Sequence, residues 1–457
     1  MRRFGWIYLA AGLVAGLTVR PYAGSWNDGS RLATVESLID RHSWAIDDSI
    51  YVNPGIAAQQ PYAPDSVAAQ TGTLDKLLID GRFYSDKSPV PALPMAGVYQ
   101  LWRWAGGPSA ADRPDWFARL LNGVFAGLPY LLAVVCIARM TRHIGVPAPW
   151  DAVLTISFAF GSLALPYAQH VNNHVLLLVV AAAIAETVVR AGPLTTARAA
   201  WLGLLAGLGY TIDLGAGPPL AVAVTGVVFW RSTESGSRWL RMLVFVVAAV
   251  PFAALHHALT YAIAGTIGPA NANPAYLQWP GSPFTGPQMT GGWNHPSLAG
   301  AGLYALDLLF GKKGFLFFSP PLLLAVRSLP WLLTRPQPER PAVVALTAWA
   351  VATWLLYAAT SRNLSGMNLS IRWFVPLLAP GYLVLAIVAR DIPSWRRDIA
   401  VLATGGLILT GELVWHGPWY GRIPVLYWPV VVAILVAWGV VVALRVRSMG
   451  RVSNLPL

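Results

Sequence analysis

About twelve apolar runs of roughly 15–20 residues, joined by polar loops, leave this chain few folds to choose from. They fall at residues 4–19, 120–138, 150–165, 175–189, 199–211, 219–230, 242–263, 315–333, 342–359, 374–389, 399–414 and 425–444. In lipid a segment must satisfy its own backbone hydrogen bonds, so runs of this length and composition read as spanning helices. The expected class is all-α, a polytopic membrane protein with about 12 transmembrane helices. We read one transmembrane domain over residues 1–457. A content of 56% hydrophobic and only 11% charged residues agrees.

The formal charge of +12 raises the question of nucleic acid. The basic residues are scattered between apolar runs and form no single patch, so nucleic-acid binding is excluded. The single cysteine, Cys136, lies inside an apolar run and reads as a small buried hydrophobe. Met1-Arg2-Arg3 before residues 4–19 has the form of a signal peptide or an anchor. No small-x-small cleavage site follows, so a retained anchor is expected.

Arginines sort the loops. Arg2 and Arg3, Arg139 and Arg142, Arg190 and Arg198, and Arg231, Arg238 and Arg241 fall on alternate loops. Arg327, Arg335 and Arg340, then Arg390, Arg396 and Arg397, then Arg445, Arg447 and Arg451 continue the alternation. The positive-inside rule then places both termini in the cytoplasm. Loops 20–116, 166–174, 212–218, 264–314, 360–373 and 415–424 would lie outside, 20–116 and 264–314 being the longest. The chain's four lysines, Lys76, Lys87, Lys312 and Lys313, break this rule, because all fall on the outer side with Arg82, Arg362 and Arg372. An anionic substrate at the outer surface would explain cations there; plain solvation of a polar loop is the alternative, and it suits Lys76.

The first outer loop carries the densest run of ionisable groups. Residues 29–41 read as an amphipathic helix, with Leu32, Val35, Leu38 and Ile39 on one face and Arg31, Glu36 and Asp40 elsewhere. Asp28 stands where an N-terminal cap would stand, or is free for chemistry. Residues 91–105 suit an interfacial helix, and 298–310 have the same character. Residues 264–292, rich in Gly, Pro, Gln and Thr, read as an irregular covering loop.

One apolar helix, an outer Asp28, an amphipathic helix, then Tyr84-Ser85-Asp86-Lys87-Ser88-Pro89 ahead of an interfacial helix resembles the GT-C membrane glycosyltransferases. The likeness is to bacterial aminoarabinose transferases and protein O-mannosyltransferases, of the glycosyltransferase family 39 type. Their Lys-Pro-Pro element is here Lys87-Ser88-Pro89, with one proline replaced. Gly311-Lys312-Lys313-Gly314 through Ser319-Pro320 is similar to their basic, aromatic-rich run. Ile371-Arg372-Trp373-Phe374-Val375-Pro376 is similar to their Pro-Arg-Tyr-x-x-Pro stretch, with Ile and Trp substituted.

The resemblance implies sugar transfer from a polyprenyl-phosphate donor to a glycan, lipid or protein acceptor, on the outer face of a bacterial inner membrane. It also implies inversion and an acidic catalytic residue at Asp28. Such transfer needs a base for the acceptor hydroxyl, cations for the departing phosphate and a greasy groove for the lipid. Lys87 and Arg372 are the expected phosphate ligands. Lys312 and Lys313 join them or meet lipid headgroups. Arg31, Tyr84, Asp86, Asn173, His174 and Asp213 are expected to contact substrate. Arg31 serves equally as a surface ion pair, and Tyr84 as an interfacial anchor. Asn172 and Glu412 are weaker candidates. His256 and His257 are adjacent and point apart on a helix, so no metal or other cofactor is expected. Asn363-Leu364-Ser365 and Asn368-Leu369-Ser370 fit glycosylation sequons without consequence here. The alternatives are a transporter or flippase of lipid-linked saccharides, a polysaccharide polymerase or ligase, and a non-catalytic scaffold. A transporter would place charge along a central path.

Overall fold

Each of the twelve apolar runs contains a helix in the computed structural model of the chain, which describes residues 4–233, 237–284 and 291–452. Arg2 and Arg3, part of loop 264–314 and the Arg451 side chain lie outside what is described. The longer helices are α1 (Gly5–Thr18), α2 (Trp26–Asp40), α3 (Ala92–Trp104), α4 (Pro114–Ile144), α5 (Trp150–Phe160) and α6 (Asn173–Val189). They continue with α7 (Thr196–Ile212), α8 (Gly217–Ser232), α9 (Arg238–Ala264), α10 (Leu298–Phe310), α11 (Pro321–Thr334) and α12 (Arg340–Thr360). The last three are α13 (Leu378–Asp391), α14 (Arg396–His416) and α15 (Tyr427–Val452). Six helical segments are long and apolar enough to cross a bilayer alone, among them α4, α9, α12 and α14. Only 11% of the apolar window of α9, and of α15, is buried, so both lie at the periphery of the bundle.

The loops gather at two ends, as the arginine alternation requires. At one end Arg20 donates to the Val414 and Trp415 carbonyls at 3.0 and 2.8 Å, Leu369 N to the Pro418 carbonyl at 3.1 Å, and Lys313 Nζ to the Gly366 carbonyl at 3.0 Å. At the other, Arg390 reaches Glu339 at 2.6 Å and the Ile144 carbonyl at 3.0 Å, and Arg139 lies 3.2 Å from Glu186.

Four local expectations change. Residues 150–165 are not one helix. The chain breaks at Gly161, where an added Cβ would stand 3.1 Å from Leu407 N and 3.3 Å from the Ala403 carbonyl; α14 crosses too closely for a side chain. Residues 315–320 are turns, and α11 starts only at Pro321. Residues 372–377 form a 3₁₀ turn containing Pro376, ahead of α13. Loop 20–116 also contains a hairpin, β1 (Lys76–Ile79) with β2 (Arg82–Ser85). Its turn, Asp80-Gly81, takes φ of 49° and 77°, the positive pair that a tight hairpin demands.

The helix expected at 29–41 is α2, but it is not a surface helix. Every residue from Asn27 to Ser37 is buried, polar ones included. Its polar face is turned inward, toward the site described next.

Candidate active site at one end of the bundle

A capping box sets the start of α2. Ser25, not Asp28, is the N-cap: its Oγ accepts from Asn27 N at 3.2 Å, and Asp28 reaches back to the cap. Asp28 Oδ1 accepts from Ser25 N at 2.8 Å and from Ser25 Oγ at 2.6 Å, and Oδ2 accepts from Gly24 N at 2.7 Å. The carboxylate is wholly buried, and His170 Nδ1 lies 3.0 Å from Oδ2. His170 reaches this point because Asn122, beside a π-helical turn at Gly123–Gly127, ties two loops together. Its Nδ2 donates to the Arg20 carbonyl at 2.9 Å, and its Oδ1 accepts from Val171 N at 2.7 Å. Gly24 lets Trp419 close the same corner; a Cβ there would stand 2.2 Å from the indole Cδ1.

Arg31 lies one turn beyond Asp28 on the same helix. It is 5% exposed, and among the described residues its guanidinium has no hydrogen bond or ion pair. The other first-loop arginines differ: Arg41 pairs with Glu36, Arg82 with Asp47, Arg103 with Asp40 and Arg113 with Asp115. Burial pushes Arg31 down to about 10, against the charges of Asp86, Asp213 and Asp75 and with the push of Arg372. Arg372, half-buried, also lacks a hydrogen-bonded partner at Nε and rests only over the Trp419 ring, 5.4 Å from its centroid. Two neighbouring guanidinium groups thus have no ion pair among the described residues, although Asp86 and Asp213 act on Arg31 from a distance. An unpaired buried charge costs several kcal/mol, of order 3–5, so such a pair is expected only where something else completes it.

Lys87 is not free to do so in this state. Its Nζ is held by Asp75 at 2.7 Å and Asp86 at 2.8 Å. Burial raises Asp86, with Lys87 opposing and Asp75 adding to the rise, and Asp86 Oδ1 has no partner. Ser30 Oγ fixes this corner through the Asp75 carbonyl at 2.6 Å and Ser85 Oγ at 2.6 Å. Ser88 Oγ meets His256 Nδ1 of α9 at 3.1 Å. A narrow opening beside these groups is lined by Arg31, Tyr84, Lys87 and Ser88 and also by Ala92, Met95 and Ile263. Polar and apolar groups therefore meet at the end of peripheral α9. Tyr84 is half-buried there and also packs against the cluster of Leu77, Ile79 and Leu277.

Asp213 anchors a second corner. Oδ1 accepts from Gly215 N at 2.9 Å, Ala216 N at 3.0 Å and Tyr357 OH at 3.3 Å. Oδ2 accepts from Asn173 Nδ2 at 2.6 Å and lies 3.4 Å from His174 Nδ1. Asn172 proves to be the cap of α6, accepting from Val175 N at 2.9 Å. Lys313 lies close enough to Arg372 to feel its charge, while Lys312 is exposed. Glu412 is half-buried on α14, outside the hydrogen bonds of this site. The residues that sequence reading missed are His170, Asp75 and Trp419. Only Asp75, in the same acidic loop as Lys87, carried a signal that could have found it.

No protein-family model and no curated sequence matches the chain. Among solved structures, ArnT from Cupriavidus metallidurans bound to undecaprenyl phosphate is similar, with a TM-score of 0.54, 14% identity, and coverage of 97% of this chain and 72% of that one. ArnT from the same organism in the apo state is similar at a TM-score of 0.51 and 17% identity, over 98% and 72%. The chain is an all-α membrane protein with the GT-C fold of ArnT.

Proposed function

We propose that this chain moves a sugar from a polyprenyl-phosphate donor to an acceptor hydroxyl at the outer face of the bacterial inner membrane, with both termini in the cytoplasm. The observation that carries this reading is the unpaired couple of Arg31 and Arg372 at one end of the bundle. In a dry site, preorganised cations are the strongest available stabiliser of a departing phosphate. Arg31 and Arg372 hold the donor phosphate, with Lys313 beside them. The tail leaves past Met95 and Ile263 toward lipid. Lys87, gripped by Asp75 and Asp86, positions the loop and meets the phosphate as those carboxylates release it. Asp213, with Asn173, His174 and Tyr357, shapes the opposite wall and biases both arginines. Asp28 supplies the carboxylate of the proton-accepting apparatus. A single displacement by the acceptor oxygen inverts the anomeric carbon. The acceptor is a glycan, a lipid or a protein hydroxyl.

The experiment is turnover of radiolabelled undecaprenyl-phosphate sugars, a panel of hexoses and pentoses, by the full chain in membranes. At least one donor is expected to lose its label to an acceptor or to water, and Asp28→Asn to slow this sharply while inserting normally. Full activity of Asp28→Asn removes that carboxylate from the chemistry.

A further inference from the structure

Asp28 is enclosed. Three donors from Gly24 and Ser25 occupy its oxygens, and the side chain has no exposed surface. One lone pair of Oδ2 is left over, and with no exposed surface the carboxylate turns toward His170 and not toward open space. The group it touches next is His170, whose Nδ1 lies 3.0 Å from Oδ2. The imidazole is 2% exposed and set between Tyr22, at 5.9 Å between ring centroids, and Trp419, at 6.3 Å. Arg372 also rests on the Trp419 ring, so the imidazole and one of the two unpaired guanidinium groups touch a common indole. Among the described residues nothing hydrogen-bonds His170 Nε2.

Taking the transfer reaction proposed above as its basis, we infer that His170 is the general base and Asp28 its positioning residue. Asp28 Oδ2 lies 3.0 Å from Nδ1 without a hydrogen bond in this geometry, and its charge there favours the tautomer with the proton on Nδ1 and a lone pair on Nε2. The acceptor O–H bond breaks toward Nε2 as the acceptor oxygen bonds to the anomeric carbon. The bond from that carbon to the phosphate oxygen breaks, and the electron pair leaves on the polyprenyl phosphate. The proton, now on an imidazolium facing Asp28, is later lost to water. The other titratable or charged groups around the ring are Tyr22, and beyond Trp419, Tyr167 and Arg372.

The test uses the full chain in proteoliposomes with the undecaprenyl-phosphate sugar that the wild type consumes best. The acidic limb of kcat/KM is expected to report the imidazole. His170→Gln should lower kcat about 10²–10⁴-fold and erase that limb, while undecaprenyl phosphate still binds. Added imidazole should partly restore His170→Gly. Asp28→Asn should move the limb and lower kcat, with donor KM little changed. His170→Gln turning over near the wild-type rate overturns the assignment. So does an inactive His170→Gln whose lipid binding is also lost, or a His170→Gly that imidazole leaves inactive with the limb unmoved. A wild type that consumes no donor of the panel overturns instead the transfer reading on which the assignment stands.

Discussion

Arg31→Met is expected to lower donor turnover by about 10²–10³-fold while the protein melts no lower than wild type. The two halves of this result have one cause. Among the described residues Arg31 has no ion pair, and its burial outweighs the charges of Asp86, Asp213 and Asp75, so its charge is a burden on the folded state until a ligand arrives. A methionine of similar length keeps the apolar stem packed and removes that burden. A structural arginine would give the opposite pattern, since removing one partner of a buried ion pair is strongly destabilising. Turnover by mass spectrometry of the lipid product, together with a thermal melt in detergent, separates the two. Arg31→Met that melts well below wild type would show that the guanidinium has a partner within the protein.

Asp213→Ala should give the largest loss of stability, about 3–5 kcal/mol. The carboxylate satisfies two backbone amides, the Asn173 amide and the Tyr357 hydroxyl, all in a buried corner. Alanine leaves these donors unmatched, each at a cost of about 1–3 kcal/mol before relaxation. Asp213→Asn retains an acceptor for the two amides and is expected to fall between alanine and wild type. Denaturation in detergent reads the difference. An alanine variant with wild-type stability would mean that water replaces the carboxylate without cost, and that the corner is open.

Much of the fold was legible because a bilayer imposes it. Apolar runs must be helices, and alternating arginines sort the loops into two sets before any contact is known. Elements set by tertiary contact were not legible. The break at Gly161 exists because α14 crosses there, and nothing within residues 150–165 announces it. The hairpin at 76–85 had its Asp80-Gly81 turn in plain view, but each strand is four residues long and carries little alternation. The polar face of α2 illustrates the same limit. Arg31 and Glu36 on a helix read as solvated, and only the surrounding loops show that the face is turned inward.

The site divides along the same line. Arg31, Asp86, Lys87, Asp213 and Arg372 could be nominated because ionisable groups in an oily chain are few. Their pairing could not, since charge balance is a property of the folded neighbourhood. Lys87 shows this most clearly: a lysine nominated as a phosphate ligand is found between two carboxylates. His170 was passed over because it lies beside Asn172, Asn173 and His174, and its partner Asp28 comes from a distant loop.

The central claim is that Arg31 and Arg372 together hold a lipid phosphate. Binding of undecaprenyl phosphate to the purified full chain, followed by native mass spectrometry, tests it most directly. Wild type is expected to bind the lipid phosphate in preference to undecaprenol, and the Arg31→Met/Arg372→Met double variant to lose that preference while remaining folded. Equal retention of undecaprenyl phosphate by the double variant, or no preference in the wild type, would contradict it.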